Sequence, residues 1–189
     1  MIIRNRMRIL TTAIVLLLFS ANSVANSVTI LGDSPDAREC YLSTQMQTSS
    51  NSEIQSCTNT LSFQSMRLRD RAVTFINRGI IYVPLEEYEL AIKDYASAKK
   101  IHPDFGAIYV NRGNLFFIGE SYDSAILEYS KALNMGLSQD YVAHLNRGMA
   151  YEKLGRLNEA VAGYREAIEL APEWKAPKSK LERALIKIN

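Results

Sequence analysis

The chain has 189 residues, 47% of them hydrophobic, with 22 basic and 20 acidic residues, two histidines and two cysteines. This near balance, with no basic run, argues against nucleic acid as a partner. There is no nucleophile motif, phosphate-binding glycine loop or His/Cys/Asp cluster of metal spacing, so the sequence reads as a non-enzyme needing no cofactor or metal.

Residues 1–25 read as an address rather than part of the fold. Arg4, Arg6 and Arg8 precede an apolar run from Ile9 to Phe19, and Ser23-Val24-Ala25 offers small residues for cleavage. The run is too short for a bilayer core, which needs roughly 20 residues. A cleaved secretory signal and an exported, periplasmic protein are expected. The alternative is an uncleaved anchor to the inner membrane, the one case in which membrane contact is implied. No cysteine lies near the cleavage site, which argues against a lipid anchor. Loss of this segment removes three arginines and no acids, leaving 19 basic residues against 20 acidic ones.

Residues 26–33 read as a flexible leader. Ser34 followed by Pro35 predicts an N-cap and first helical position, with a helix to about Gln47. Thr48 to Asn51 reads as a turn. Ser52 with Gln55 resembles a capping box for a second helix through Leu61. Residues 34–71 are thus expected to form a helical hairpin and linker.

Beyond it the tripeptide Asn-Arg-Gly recurs at residues 77–79, 111–113 and 146–148, at intervals of 34 and 35. An aromatic follows three residues after each glycine (Tyr82, Phe116, Tyr151). Alanine comes twelve after it (Ala91, Ala125, Ala160), then tyrosine four later (Tyr95, Tyr129, Tyr164) and alanine three later again (Ala98, Ala132, Ala167). Spacings of three and four put these residues on one helix face. The period and skeleton resemble the tetratricopeptide repeat, a helical hairpin in which small residues let two helices approach closely. The resemblance implies an all-α fold, a right-handed α-solenoid. Its units are repeats at 72–105, 106–140 and 141–174, a degenerate N-terminal hairpin and a capping helix within 175–189. Pro84 ends the first helix of its repeat near Tyr82. In the cap, Leu181, Ala184, Leu185 and Ile188 share one face, opposite Lys180, Arg183 and Lys187. Terminal units of such arrays need a polar outer face.

In this register Cys57 takes the slot of the second-helix tyrosine, and Cys40 falls one residue before the glycine slot of the first helix. In an exported chain the pair predicts a disulfide across the degenerate hairpin.

In tetratricopeptide arrays the first helices line the concave surface. The corresponding positions here are Ile76, Asn77, Ile80 and Val83, then Val110, Asn111, Asn114 and Phe117, then Leu145, Asn146, Met149 and Glu152. Asn77, Asn111 and Asn146 resemble the asparagine ladder by which some long arrays hold an extended polypeptide. The other reading is that each asparagine bonds a neighbouring repeat. The family's carboxylate clamp is not matched, because Ile76, Ile80 and Val142 stand where its cations would be and Asn111 is the single match. An apolar peptide or helix, bound with little sensitivity to salt, is the expected ligand.

Two further sets need an account. Arg78, Arg112 and Arg147 adjoin the packing glycines, whereas Asp94 and Glu128 mark the second helices of the first two repeats and Gly163 that of the third. This pattern predicts inter-repeat ion pairs Asp94–Arg112 and Glu128–Arg147, with Arg78 left free or bonded to carbonyls. His102 and His144 read as structural. The functional expectation is a non-enzymatic exported scaffold or adaptor binding a protein or peptide in its groove. Two alternatives remain: a structural protein self-associating through that groove as a homo-oligomer, and a regulatory subunit of a cell-envelope enzyme.

Overall fold

The computed structural model describes residues 34–137 and 139–188. The expected signal, 1–25, and leader, 26–33, lie outside the described residues. Nine α-helices and no strands occur among the described residues. They are α1 (Pro35–Met46), α2 (Asn51–Ser62), α3 (Leu68–Tyr82), α4 (Tyr88–Ile101), α5 (Gly106–Ile118), α6 (Tyr122–Asn134), α7 (Asp140–Lys153), α8 (Leu157–Leu170) and α9 (Lys175–Ile188). Consecutive helices pair into four hairpins, α1/α2 to α7/α8, and α9 closes the array on α8. The chain is an all-α solenoid of helical hairpins.

Local chemistry sets the helix ends. The Ser34 hydroxyl accepts the Ala37 N–H at 3.1 Å, and Pro35 stands at the first helical position, where no N–H is needed. The expected Ser52–Gln55 box does not form. Helix α2 begins at Asn51, so Ser52 is already helical; its hydroxyl lies 2.8 Å from that of Ser50, and the Gln55 amide donates to Asn59. Helix α3 stops at Tyr82, followed by a single 3-10 turn over Val83–Leu85 around Pro84.

The three hairpin turns after α3, α5 and α7 close in the same way. The N–H of Glu87, Ser121 or Arg156 donates back to the carbonyl of Tyr82, Phe116 or Tyr151 at 3.1, 2.8 or 2.9 Å. The residue just before the donor is left-handed each time: Glu86 (φ 61°), Glu120 (φ 58°) and Gly155 (φ 73°). This six-to-one bond and left-handed residue form a Schellman ending. Only the third repeat uses the glycine that such a φ favours. The extra residue of the second repeat is taken up at Gly136 (φ 69°), after which Leu137 folds back against Gly106.

The six repeat alanines, Ala91, Ala98, Ala125, Ala132, Ala160 and Ala167, are fully buried, as are Tyr129 and Tyr164, with Tyr95 nearly so. A side chain near the size of phenylalanine gains roughly 1.5–3 kcal/mol on burial. One cluster joins the first two repeats and a second joins the last two and the cap, with Ile118, Tyr141 and Trp174 packed against both. At the N-terminal end Cys40 and Cys57 form a buried disulfide, Cα atoms 4.8 Å apart, packed with Ile54 and Ile81.

Candidate functional site

The repeated glycines determine where α3, α5 and α7 lie. A Cβ added at Gly113 would come within 2.5 Å of the buried Tyr129 ring, and one at Gly148 within 2.8 Å of Tyr164. Gly79 meets Tyr95 in the same way. Each first helix therefore rests its glycine on the ring of its own second helix, which fixes the rotation of the residues before and after that glycine.

Of the expected groove residues, Ile76, Ile80, Val83 and Val110 gather in the first core cluster, and Phe117, Leu145 and Met149 in the second. All seven are buried, whereas Asn114 and Glu152 are half-buried. The three asparagines do not form a row of open amides. Asn146 donates to the Asn114 carbonyl oxygen at 3.0 Å, which also accepts the Tyr129 hydroxyl at 2.9 Å, a bridge between adjacent repeats. Asn111 donates to its own helix at Ala107, 2.9 Å away. Asn77 is fully buried, and neither of its amide atoms has a hydrogen-bond partner among the described residues.

Phe117, Met149 and Glu152 do come together, lining a cavity of about 250 Å³ between α5, α7 and α9. Its other walls carry cations that sequence reasoning had assigned to the solubilising face of the cap: Lys180, Arg183 and Lys187, joined by Lys153 from the end of α7. The Glu152 carboxylate accepts the Tyr164 hydroxyl at 2.6 Å and the Lys187 ammonium at 2.5 Å. Burial pushes this carboxyl up, but the bonds from Lys187 and Tyr164 and the charges of Lys187 and Lys180 outweigh that and hold it below the ordinary range. Tyr164 is raised, by burial first and then by its bond to Glu152. Lys180 is lowered, by burial first and then by Arg183, with Lys153 and Lys187 adding repulsion and Glu152 opposing it. The sequence did carry a signal: residues 180, 183 and 187 share one helical face.

The arginine pairing expected from the sequence is corrected. Asp94 is held by Arg78 of its own repeat through two hydrogen bonds of 2.7 and 2.8 Å, not by Arg112. Arg78 also donates to Thr58 of the preceding hairpin at 2.9 Å, so it is not free. Arg112 pairs with Glu128 of its own repeat at 3.2 Å, and Lys131 joins that carboxylate at 3.0 Å. Arg147 is left to reach back to the Ser130 hydroxyl at 3.2 Å. Its own repeat has no acid because a Cβ on Gly163 would fall 2.9 Å from the His144 carbonyl oxygen and 3.1 Å from the Gly148 Cα. The third hairpin is too closely packed for a side chain there.

Neither histidine belongs to a cluster. His102 pairs with Asp104 in an exposed turn, and His144 is held below its ordinary value by burial and by Arg147, against Glu166 and Asp140. Among the described residues no group of three or more His, Cys, Asp or Glu side chains could hold a metal ion, and no helix is long and apolar enough to cross a membrane.

Residues 141–173 match the tetratricopeptide repeat family, over the segment that holds the third Gly–Tyr contact. The chain is a tetratricopeptide-repeat protein. Among solved structures, it is similar to the tetratricopeptide domain of Arabidopsis OM64, with 26% identity and a TM-score of 0.58 over 61% of this chain and 95% of that one. The second tetratricopeptide domain of human RPAP3, solved in complex with an HSP70 peptide, is 23% identical with a TM-score of 0.56, covering 62% of this chain and 98% of the other. PilW, a widely conserved type IV pilus biogenesis factor, covers more of this chain, 87%, and 70% of its own, at 21% identity and a TM-score of 0.68. No curated protein matches the chain significantly. Tetratricopeptide domains are in general interaction modules without catalysis.

Proposed function

We propose that this tetratricopeptide array is an exported, non-enzymatic scaffold that binds a protein or peptide segment along its first helices. The observation that carries the reading is the cavity lined by Phe117, Met149 and Glu152, groove positions of two adjacent repeats. Apolar side chains beside polar ones in a concave site suit a peptide with apolar anchors. Export is supported by the buried Cys40–Cys57 disulfide, a bond that persists in oxidising compartments. The asparagine ladder is not part of this proposal, because two of its three amides are engaged within the chain.

The test is affinity capture from an exported fraction, then titration of each purified captured protein against wild type and a Phe117→Ala, Met149→Ala double variant. Loss of two apolar anchors is expected to weaken binding at least about tenfold, a change of roughly 1.4 kcal/mol. Equal affinity for wild type and a folded double variant would remove the groove from the mechanism. Concentration-dependent dimerisation in sedimentation, abolished by the same substitutions, would instead favour self-association.

A further inference from the structure

The cavity at the capped end holds more positive charge than its own acid can satisfy. Lys153, Lys180, Arg183 and Lys187 surround one carboxylate, Glu152. Glu152 is already committed to Lys187 and to the Tyr164 hydroxyl. Among the described residues no carboxylate lies within ion-pair distance of Lys153, Lys180 or Arg183 (Glu182, Arg183's neighbour in sequence, included). A lone solvated lysine would need no explanation, but Lys180 is partly buried between like charges, an arrangement that folding alone does not favour. The floor beneath these cations is apolar, formed by Phe117 and Met149. Cations around an apolar floor complement a group with a negative head and an apolar neighbour.

We propose that the cavity between α5, α7 and α9 is an anion subsite that takes a carboxylate of a bound peptide, with an adjacent apolar residue on Phe117 and Met149. Lys180 and Arg183 are its principal contacts, and Lys153 stands at its rim. Glu152 acts as a spacer, turning Lys187 aside and keeping the incoming acid on the Lys180–Arg183 side. Such a site sets the direction of a segment lying along the first helices, because its acidic end must lie toward the cap. The inference deepens the proposed peptide binding and rests on it for the apolar half of the ligand. It also changes one expectation: affinity for an acidic partner falls as salt rises.

The probes are two dye-labelled, C-terminally amidated peptides with the same apolar run, one ending in two glutamates and the other in two glutamines. A third peptide has the glutamine ending and a free C-terminus, and hexaglutamate serves as an acidic probe without apolar residues. The full described array, 34–189, is titrated with each at about 0.05 M and about 0.5 M NaCl. The glutamate peptide is expected to bind about tenfold more tightly than its glutamine twin at low salt, with the ratio approaching one at high salt. Lys180→Gln with Arg183→Gln should abolish the preference, and Lys153→Gln alone should reduce it, with the melting temperature unchanged or raised. Tighter binding of the free C-terminus would assign the carboxylate to a chain end rather than a side chain. Both twins binding alike, with no effect of the double variant, would overturn the anion subsite while leaving the groove standing. If neither twin binds, the groove reading fails. Hexaglutamate then decides the subsite alone: binding lost in the double variant supports it, and no binding overturns it.

Discussion

At the residue scale, the arginine beside each packing glycine is a hairpin staple in the first two repeats. Arg78 and Asp94 meet through two parallel hydrogen bonds, with side chains 17% and 4% exposed, a geometry in which the fork of guanidinium matches the carboxylate. Removing one partner of such a pair leaves a buried charge and costs about 3–5 kcal/mol, whereas replacing both with apolar residues can be neutral. Arg78→Met is therefore expected to destabilise the protein by a few kcal/mol, and Arg78→Met with Asp94→Leu by much less. A double-mutant cycle in urea should give strong coupling for Arg78 with Asp94 and almost none for Arg112 with Asp94; the reverse would restore inter-repeat pairing. The sequence could not decide this, because Asp94 is 16 residues from Arg78 and 18 from Arg112. The rotation that separates the two partners is set by the Gly–Tyr contacts in three dimensions.

At the element scale, the end of the array is joined by one network, with Glu152 of α7 accepting from Tyr164 of α8 and Lys187 of α9. A carboxyl whose folded value lies below its unfolded one adds stability that is present above the unfolded value, about 4.3, and lost as pH falls through the folded value. Amide exchange in α9 is thus expected to quicken as pH drops from about 5 to about 3, beyond the intrinsic pH effect. Glu152→Gln should flatten that dependence. His144, held low, acts with the same sign in a higher window, its contribution fading as pH falls below about 6.5, so a His144→Phe background separates the two. A pH response in α9 that is identical in wild type and Glu152→Gln would show that this network does not hold the cap. The cap helix itself was legible from its periodicity, and its polar face was not. Lys180 meets Phe117 only because α9 closes over α5 and α7, a relation between helices more than 60 residues apart.

Over the whole molecule, the array was legible because one contact recurs: a glycine on a tyrosine ring, flanked by buried alanines, at a fixed period. Each hairpin packs mainly on its neighbours, so stability is close to a sum of unit and interface terms. That organisation predicts how far a local change travels. The Cys40–Cys57 bond closes a loop with a sequence separation of 17, worth about 3 kcal/mol in the chain-entropy model. Helices α1 and α2 lack the glycine and tyrosine of the other hairpins and contain few large buried apolar side chains, so the bond carries a larger share of their stability. Their contacts with the rest run chiefly to α3. Reduction is therefore expected to expose the amides of α1 and α2 to exchange, to weaken α3 partially, and to leave α5 to α9 protected. Hydrogen exchange with and without reductant, read by peptide, checks the gradient. Uniform loss of protection along the chain would mean that the array unfolds as one unit, and unchanged exchange in α1 and α2 would mean that their packing suffices without the bond.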